Sequence, residues 1–211
     1  MAGGAFGQLA LFVRTRAPRS LRKLYRMLRC FAPPRPSRRL PVELLRDCRL
    51  VPCRYELLSD LPGHGRIAEL GTYKGEFAQQ ILIRCNPQEL HVVDIDFARF
   101  DQRVAADHRV QRHRGWTHEV MAGFPDGYFD WVYVDADHSY EATLRDARTA
   151  APKVRPGGYL VFNDFAHVDC EFGQYGVHRA VIDFALEARW PMAFFALSET
   201  ALYDVALRRP G

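Results

Sequence analysis

The chain has 211 residues, of which 48% are hydrophobic and 26% charged, and its net charge is +4. That length and balance describe a soluble globular protein with one sizeable core and room for an appendage. The five cysteines (Cys30, Cys48, Cys53, Cys85 and Cys170) form no C-x-x-C pair and no Cys/His zinc spacing, so free thiols in a reducing, cytoplasmic setting are expected.

The charge is unevenly placed. Residues 1–40 carry ten Arg or Lys and no acid, whereas residues 41–211 are acidic, at net −6. An acidic body argues against a nucleic-acid surface spread over it. No apolar run approaches the roughly 20 residues of a membrane span. Ala5–Val13 is apolar but short, and it lacks the flanks of a secretory signal. Ser20 to Phe31 reads as an amphipathic helix, with Leu21, Leu24, Tyr25 and Leu28 on one face and Arg22, Lys23, Arg26 and Arg29 mostly on the other. It is either a docking arm for acidic lipid or a protein, or a solvated extension; its composition also fits a transit peptide. Pro-rich residues 32–37 form a linker.

Residues 41–62 read as one or two short helices punctuated by Pro41, Pro52 and Pro62, a lid or linker ahead of the main domain, residues 63–211. From Gly65 strands and helices alternate. Strands are expected at Arg66–Leu70, Glu89–Asp94, Arg109–His113, Phe129–Asp135 and Tyr159–Asn163. Helices are expected at Gly75–Arg84, Phe97–Ala106, Tyr140–Val154 and Val177–Arg189. That alternation implies βαβ units and a parallel sheet. Two late strands, Ala193–Leu197 and Ala201–Leu207, are close enough to form a hairpin, which makes one of them antiparallel.

Three strand ends carry the chemistry. The first leads into Glu69-Leu-Gly71-Thr-Tyr73-Lys-Gly75. Gly71 permits a tight turn with close backbone approach to a ligand, and Gly75 stands where a helix begins. The spacing G-x-x-x-G departs from the dinucleotide G-x-G-x-x-G, and Glu69 suits a cationic amino group better than a phosphate. The second strand ends in Asp94, with Asp96 as alternate, where an acid binds ribose hydroxyls in nucleoside-binding folds. A helix cap for Phe97 onward is the other reading, and it fits Asp96 better than Asp94. Trp116 is placed either to stack on a base or to fill the core, beside Thr117. The later strands end in Asp135-Ala-Asp-His138 and in Asn163-Asp164. Neighbouring parallel strands would deliver these groups into one cleft. His167, Tyr175 and His178 follow as candidate walls for a substrate.

E-x-G-x-x-x-G, V-V-D, D-x-x-H and P-G-G-Y-L-V-F-N-D together resemble the class I S-adenosylmethionine-dependent methyltransferases. More narrowly, they are similar to the small metal-dependent O-methyltransferases of the catechol and macrolide-sugar groups. The resemblance covers about residues 60–190. It implies an α/β, Rossmann-like, seven-stranded, mostly parallel sheet with helices on both faces and an antiparallel last strand, here preceded by a basic N-terminal helical extension. It also implies that Glu69, Gly71, Tyr73 and Gly75 line the methionine end of S-adenosylmethionine, that Asp94 holds its ribose, and that Trp116 and Thr117 flank its adenine, with Asp135 bordering the cofactor. Asp135, Asn163 and Asp164 fall on the family's metal positions, for Mg2+, and His138 on the general base of the sugar-methylating branch, with Asp135 beside it in the chemistry. Phe77 stands where catechol-type members often have a small hydroxyl residue, and Asn163 where the sugar-methylating branch tends to have an acid.

The expected reaction is methyl transfer to a hydroxyl of a small molecule such as a sugar, a phenol or another natural product. No nucleic-acid partner is expected; the basic head could meet a membrane surface or a protein, and an oligomer is possible. Two alternatives stand beside it: a docking protein whose methyltransferase fold has lost activity, and an NAD-dependent oxidoreductase, which the missing dinucleotide glycines disfavour.

Overall fold

The computed structural model describes residues 35–169 and 173–211, with Pro18 and Ser20 besides. The amphipathic segment expected from Ser20 to Phe31 otherwise lies outside the described residues. Its centre is a mixed eight-stranded sheet in the order β1-β9-β10-β6-β5-β2-β3-β4. The strands are β1 (Arg49–Val51), β2 (Arg66–Leu70), β3 (Glu89–Asp94), β4 (Val110–Arg114), β5 (Phe129–Val134), β6 (Val154–Phe162), β9 (Met192–Ala196) and β10 (Asp204–Arg208). β7 (Val168–Asp169) and β8 (Gly173–Gln174) form a separate antiparallel pair. Strand β10 runs antiparallel between β6 and β9, and all the other neighbours in the main sheet are parallel.

The helices are α1 (Arg54–Asp60), α2 (Glu76–Cys85), α3 (Gln102–Ala105), α4 (Thr117–Ala122), α5 (Tyr140–Ala150) and α6 (Val177–Ala188). They cover both faces because the strands alternate. Along β5, Trp131 and Tyr133 join the core under α1, α2 and α3, while Val132 and Val134 join the core under α4, α5 and α6. All but Val134 of these four side chains are fully buried. A strand so apolar on both faces belongs in the middle of a parallel sheet.

Four expectations shift. The sheet has eight strands rather than seven, because Arg49–Val51 pairs in parallel with Phe194–Ala196 where only helices were expected. The helix expected over Phe97–Ala106 shrinks to one turn, α3. Asp96 Oδ1 accepts from Ala98 N–H at 3.0 Å, and the α3 cap falls to Asp101 instead. These short acidic side chains hold the backbone in turns that compete with a helix. The helix expected to Val154 ends at Ala150; Pro152 lies in a short 3-10 turn and β6 starts at Val154. The last strand begins at Asp204, after a loop in which Ala201 has φ +58°. Among the described residues, no helix is long and apolar enough to cross a membrane.

Candidate active site

The chain runs outward from β2 through β3 to β4, then returns to place β5 on the other side of β2. Ligand sites in such sheets lie at the carboxyl ends of the strands where the order reverses. The two ends flanking the reversal are tied together, since Asp135 N–H donates to Leu70 C=O at 2.8 Å. Directly after β2 the chain turns through Gly71 (φ +86°), and a Cβ there would lie 2.1 Å from the Asp135 carbonyl oxygen. Gly75 (φ +80°) starts α2 with its bare face on the Phe100 ring.

The acid at the end of β3 braces this turn. Asp94 Oδ2 accepts from Thr72 N–H at 3.1 Å and from Tyr73 N–H at 2.9 Å. Asp94 remains half-buried, whereas Asp96 is exposed and busy with its own turn. Glu69 is buried, at 1% exposure, and accepts from the Thr72 hydroxyl at 2.6 Å. Burial pushes its carboxyl up to about 8, partly offset by that bond and reinforced by the charges of Asp135 and Asp94. A cation arriving beside Glu69 would recover that cost.

Trp116 is 58% exposed, which rules out the core alternative and leaves its indole face open near the ends of β3 and β4. Thr117 behaves differently: its hydroxyl donates to both oxygens of Asp146, at 2.8 and 2.9 Å. That commits the hydroxyl to the protein. Asp146 is 2% exposed, so Thr117→Val should leave a buried carboxylate short of a donor and cost about 1–3 kcal/mol. A lowered urea midpoint with unchanged S-adenosylhomocysteine affinity is the expected result.

The ends of β5 and β6 do bring the polar cluster together. His138 Nε2 lies 3.5 Å from Asp135 Oδ1 and 3.4 Å from Asp164 Oδ2. Its ring stacks on Tyr175, with centroids 4.5 Å apart. Ser139, not His138, caps α5. His138 C=O is held by Gly176 N–H at 2.7 Å, which docks this loop on the start of α6. Burial pulls the imidazole down, but the hydrogen bond and charge of Asp135, with the charge of Asp164, outweigh it and hold His138 above its ordinary value. Burial also raises Asp135 and Asp164, against the opposing charges of His138 and Arg54.

Three members of this cluster were not anticipated. Arg54, on α1, reaches in to 3.3 Å from Asp204 and 3.7 Å from Asp164. Asp204, the first residue of β10, is 1% exposed and accepts from the Tyr133 hydroxyl at 2.5 Å. Burial lifts Asp204 to about 7, with the Arg54 charge pulling the other way. Burial works against the Arg54 charge, but Tyr133 and the carboxylates of Asp204, Asp135 and Asp164 outweigh it and keep the guanidinium charged. The one sequence signal was an acid heading an otherwise apolar run, Asp204-Val-Ala-Leu.

The metal that the resemblance implies fits this arrangement poorly. The Asn163 amide is satisfied in one orientation, with its nitrogen donating to Asp135 Oδ1 at 2.9 Å and to Asp164 Oδ1 and Oδ2 at 3.0 and 3.2 Å. Its oxygen then accepts from Arg54 Nη1 and Nη2 at 2.9 Å each. Reversed, the nitrogen would reach the Tyr133 hydroxyl at 3.2 Å and Asp204 Oδ1 at 3.4 Å but would face both Arg54 N–H groups, and the oxygen would face two carboxylates. The oxygen that a hard cation would require is thus occupied by Arg54. Among the described residues no group of three or more His, Cys, Asp or Glu side chains gathers as a metal site.

Beyond Asp164 (φ +52°) the chain bends, and Phe165 N–H donates to Tyr203 C=O at 2.6 Å. A hollow of about 330 Å³ opens there, lined by Phe165, His167, Val168, His178, Phe195 and Tyr203 among others. His178 stacks on Phe165 and meets Ser37 Oγ through Nδ1 at 2.6 Å. Burial, with the charge of His167, pushes His178 down to about 4, so it stays neutral. Of the expected wall residues, His167 and His178 line this hollow and Tyr175 lies against His138 instead. A second hollow, of about 480 Å³ at Gly157, Pro191 and 208–211, lies at the opposite edge of the sheet and takes no part in the cluster.

Residues 68–165 match the family model described as a methyltransferase domain. A stretch of 86 residues is 28% identical to 8-demethyl-8-(2,3-dimethoxy-alpha-L-rhamnosyl)-tetracenomycin-C 4'-O-methyltransferase of Streptomyces olivaceus, covering 38% of this chain and 33% of that enzyme. The aligned stretch therefore spans about a third of that relative. The fold is similar to that of the N-methyltransferase NodS from Bradyrhizobium japonicum WM9, with a TM-score of 0.57 at 18% identity over 75% of this chain and 95% of that one. It is also similar to an O-methyltransferase family protein from Burkholderia thailandensis, with a TM-score of 0.57 at 14% identity over 74% of this chain and 55% of that one. The glycine turn after β2, the acid ending β3 and the antiparallel β10 agree with a methyltransferase domain over the matched residues 68–165.

Proposed function

We propose that this protein transfers the methyl group of S-adenosylmethionine to a hydroxyl of a small molecule, with His138 as the base. The observation that carries the proposal is the convergence of His138 with Asp135 and Asp164 beside the glycine turn. Similarity to an enzyme named for methylating a rhamnosyl 4'-hydroxyl supports a sugar or sugar-bearing acceptor.

The cofactor, when bound, supplies an electrophilic methyl on a sulfonium whose departure as a neutral thioether needs no acid. The fit of the chain to it rests on the turn after β2: buried Glu69 leads into it, Asp94 accepts from its Thr72 and Tyr73 N–H groups, and Gly71 packs without a side chain against the Asp135 backbone. Glu69 would meet its cationic amino group, Gly71, Tyr73 and Gly75 its methionine end, Asp94 its ribose, and Trp116 the face of its adenine, with Asp135 bordering it. The remaining demand falls on the acceptor, since a protonated hydroxyl is a weak nucleophile. His138 is 23% exposed, and its Nε2, 3.4 to 3.5 Å from the two carboxylates, would take the hydroxyl proton. The carboxylates then stabilise the imidazolium that forms, and fixing the acceptor oxygen in line supplies further acceleration. The hollow beyond Asp164, walled by Phe165, His167, His178 and Tyr203, would seat the body of an acceptor with an apolar face.

The test is a methyl-transfer screen over hydroxylated metabolites with isotopically labelled cofactor. Labelled ether products are expected; labelled amines alone, or no turnover with any acceptor, would overturn the proposal. In the same preparation Asp94→Ala should weaken S-adenosylhomocysteine binding by about 10- to 100-fold, as loss of a charge-assisted bond does. Unchanged affinity by calorimetry would remove Asp94 from the ribose.

A further inference from the structure

The charged groups at the ends of β5, β6 and β10 sum to a surplus of acid. Asp135, Asp164 and Asp204 converge with the buried amide of Asn163. A cluster of this kind is stable only when cations or protons offset it. In the enzymes that the sequence resembles, a divalent ion has that task. Here a side chain stands in the way. Arg54 Nη1 and Nη2 both donate to the Asn163 oxygen at 2.9 Å, while Nη2 lies 3.3 Å from Asp204 and 3.7 Å from Asp164. Its side chain is only 30% exposed.

We propose that Arg54 is the resident cation of the acceptor site: its guanidinium offsets the carboxylates and occupies the Asn163 oxygen, so the site neither needs nor readily binds a divalent metal. Three features meet in this assignment. The guanidinium fork brings two N–H groups onto one oxygen from a single plane, a geometry lysine cannot copy. The same two bonds turn the amide nitrogen toward Asp135 and Asp164, so Arg54 orients a residue on β6 and, through it, the two carboxylates beside His138. Finally, α1 lies before the matched segment 68–165, so this contribution comes from outside the part of the chain that the family model covers.

A consequence concerns the acceptor. A metal site favours acceptors that chelate it through two adjacent oxygens. A site built on Arg54 and His138 has no such demand, and one hydroxyl suffices. This consequence rests on the proposed hydroxyl acceptor; the cation assignment does not.

Manganese titration of the full-length protein, followed by electron paramagnetic resonance, decides between the two arrangements without an acceptor. The wild type is expected to bind no Mn2+ tighter than about 1 mM, the weak end of protein cation sites. Arg54→Met, which keeps length and apolar stem but removes the charge, frees the Asn163 oxygen and should bind Mn2+ at least about tenfold more tightly. Micromolar Mn2+ binding by the wild type would overturn the proposal, as would a folded Arg54→Met that binds no better than wild type. Should Arg54→Met not fold, judged by circular dichroism, the wild-type titration still decides. Dialysis against chelator is a second reading, with turnover expected to change by less than about twofold; loss of turnover restored by metal would overturn it. In either failure the role of His138 is untouched, because its own test is loss of turnover on substitution.

Discussion

Replacing His138 with alanine should slow methyl transfer by about 10²- to 10⁴-fold, the usual worth of a general base. Cofactor affinity should stay within about twofold, because that substitution leaves the glycine turn and Asp94 in place. The pH profile carries a second signature. Asp135 and Asp164 hold His138 above its ordinary value. A base works only when unprotonated, so kcat/KM should rise with pH through a midpoint above about 6.5 and level off beyond it. The alanine variant should lose that rise. Full activity in His138→Ala, or a rate that falls across the same range, would remove the base from the mechanism.

The second large effect is at Gly71. An alanine there meets two penalties at once. Its φ of +86° is a conformation that residues with a Cβ rarely adopt, and the added carbon would lie 2.1 Å from the Asp135 carbonyl oxygen. Backbone atoms on the far side cannot rotate away as a side chain would. The turn or the end of β5 must move, at a cost of about 1–3 kcal/mol in stability. Cofactor affinity should fall by more than about tenfold, since the same displacement reaches the loop that Asp94 braces. Calorimetry with S-adenosylhomocysteine and a urea melt measure the two effects separately. Wild-type affinity in Gly71→Ala would mean that the turn does not approach the cofactor.

Much of the sheet could be read from alternation alone. β2, β3 and β5 are apolar runs bounded by Gly, Pro or acid, and their ends carry Glu69, Asp94 and Asp135 where the structure has them. The hairpin arithmetic of the last two strands also held, down to one of them running antiparallel. What failed was local competition. Asp96 and Asp101 make turns within a pattern that otherwise reads as helix, and Arg49–Val51 is too short to show any period. Within the candidate site, residues at strand ends were legible because charge interrupts an apolar run there. Arg54 was not, because nothing in Cys-Arg-Tyr-Glu distinguishes a half-buried, inward-reaching arginine from the many exposed ones. Only the fold brings α1 against β5 and β6. The family resemblance puts Asn163 on a metal position, and its amide orientation depends on that same hidden arginine.

The direction of β10 has a further consequence, for synthesis. A parallel strand would put its last residue at the reactive edge; an antiparallel one delivers its first, and so Asp204 sits against Tyr133 there. Arg54 and Tyr133 leave the ribosome long before their shared acceptor does. Until residue 204 is made, the Arg54 guanidinium and the Tyr133 phenol lack the carboxylate that both meet in the finished fold, so this part of the pocket is completed only when β10 joins the sheet.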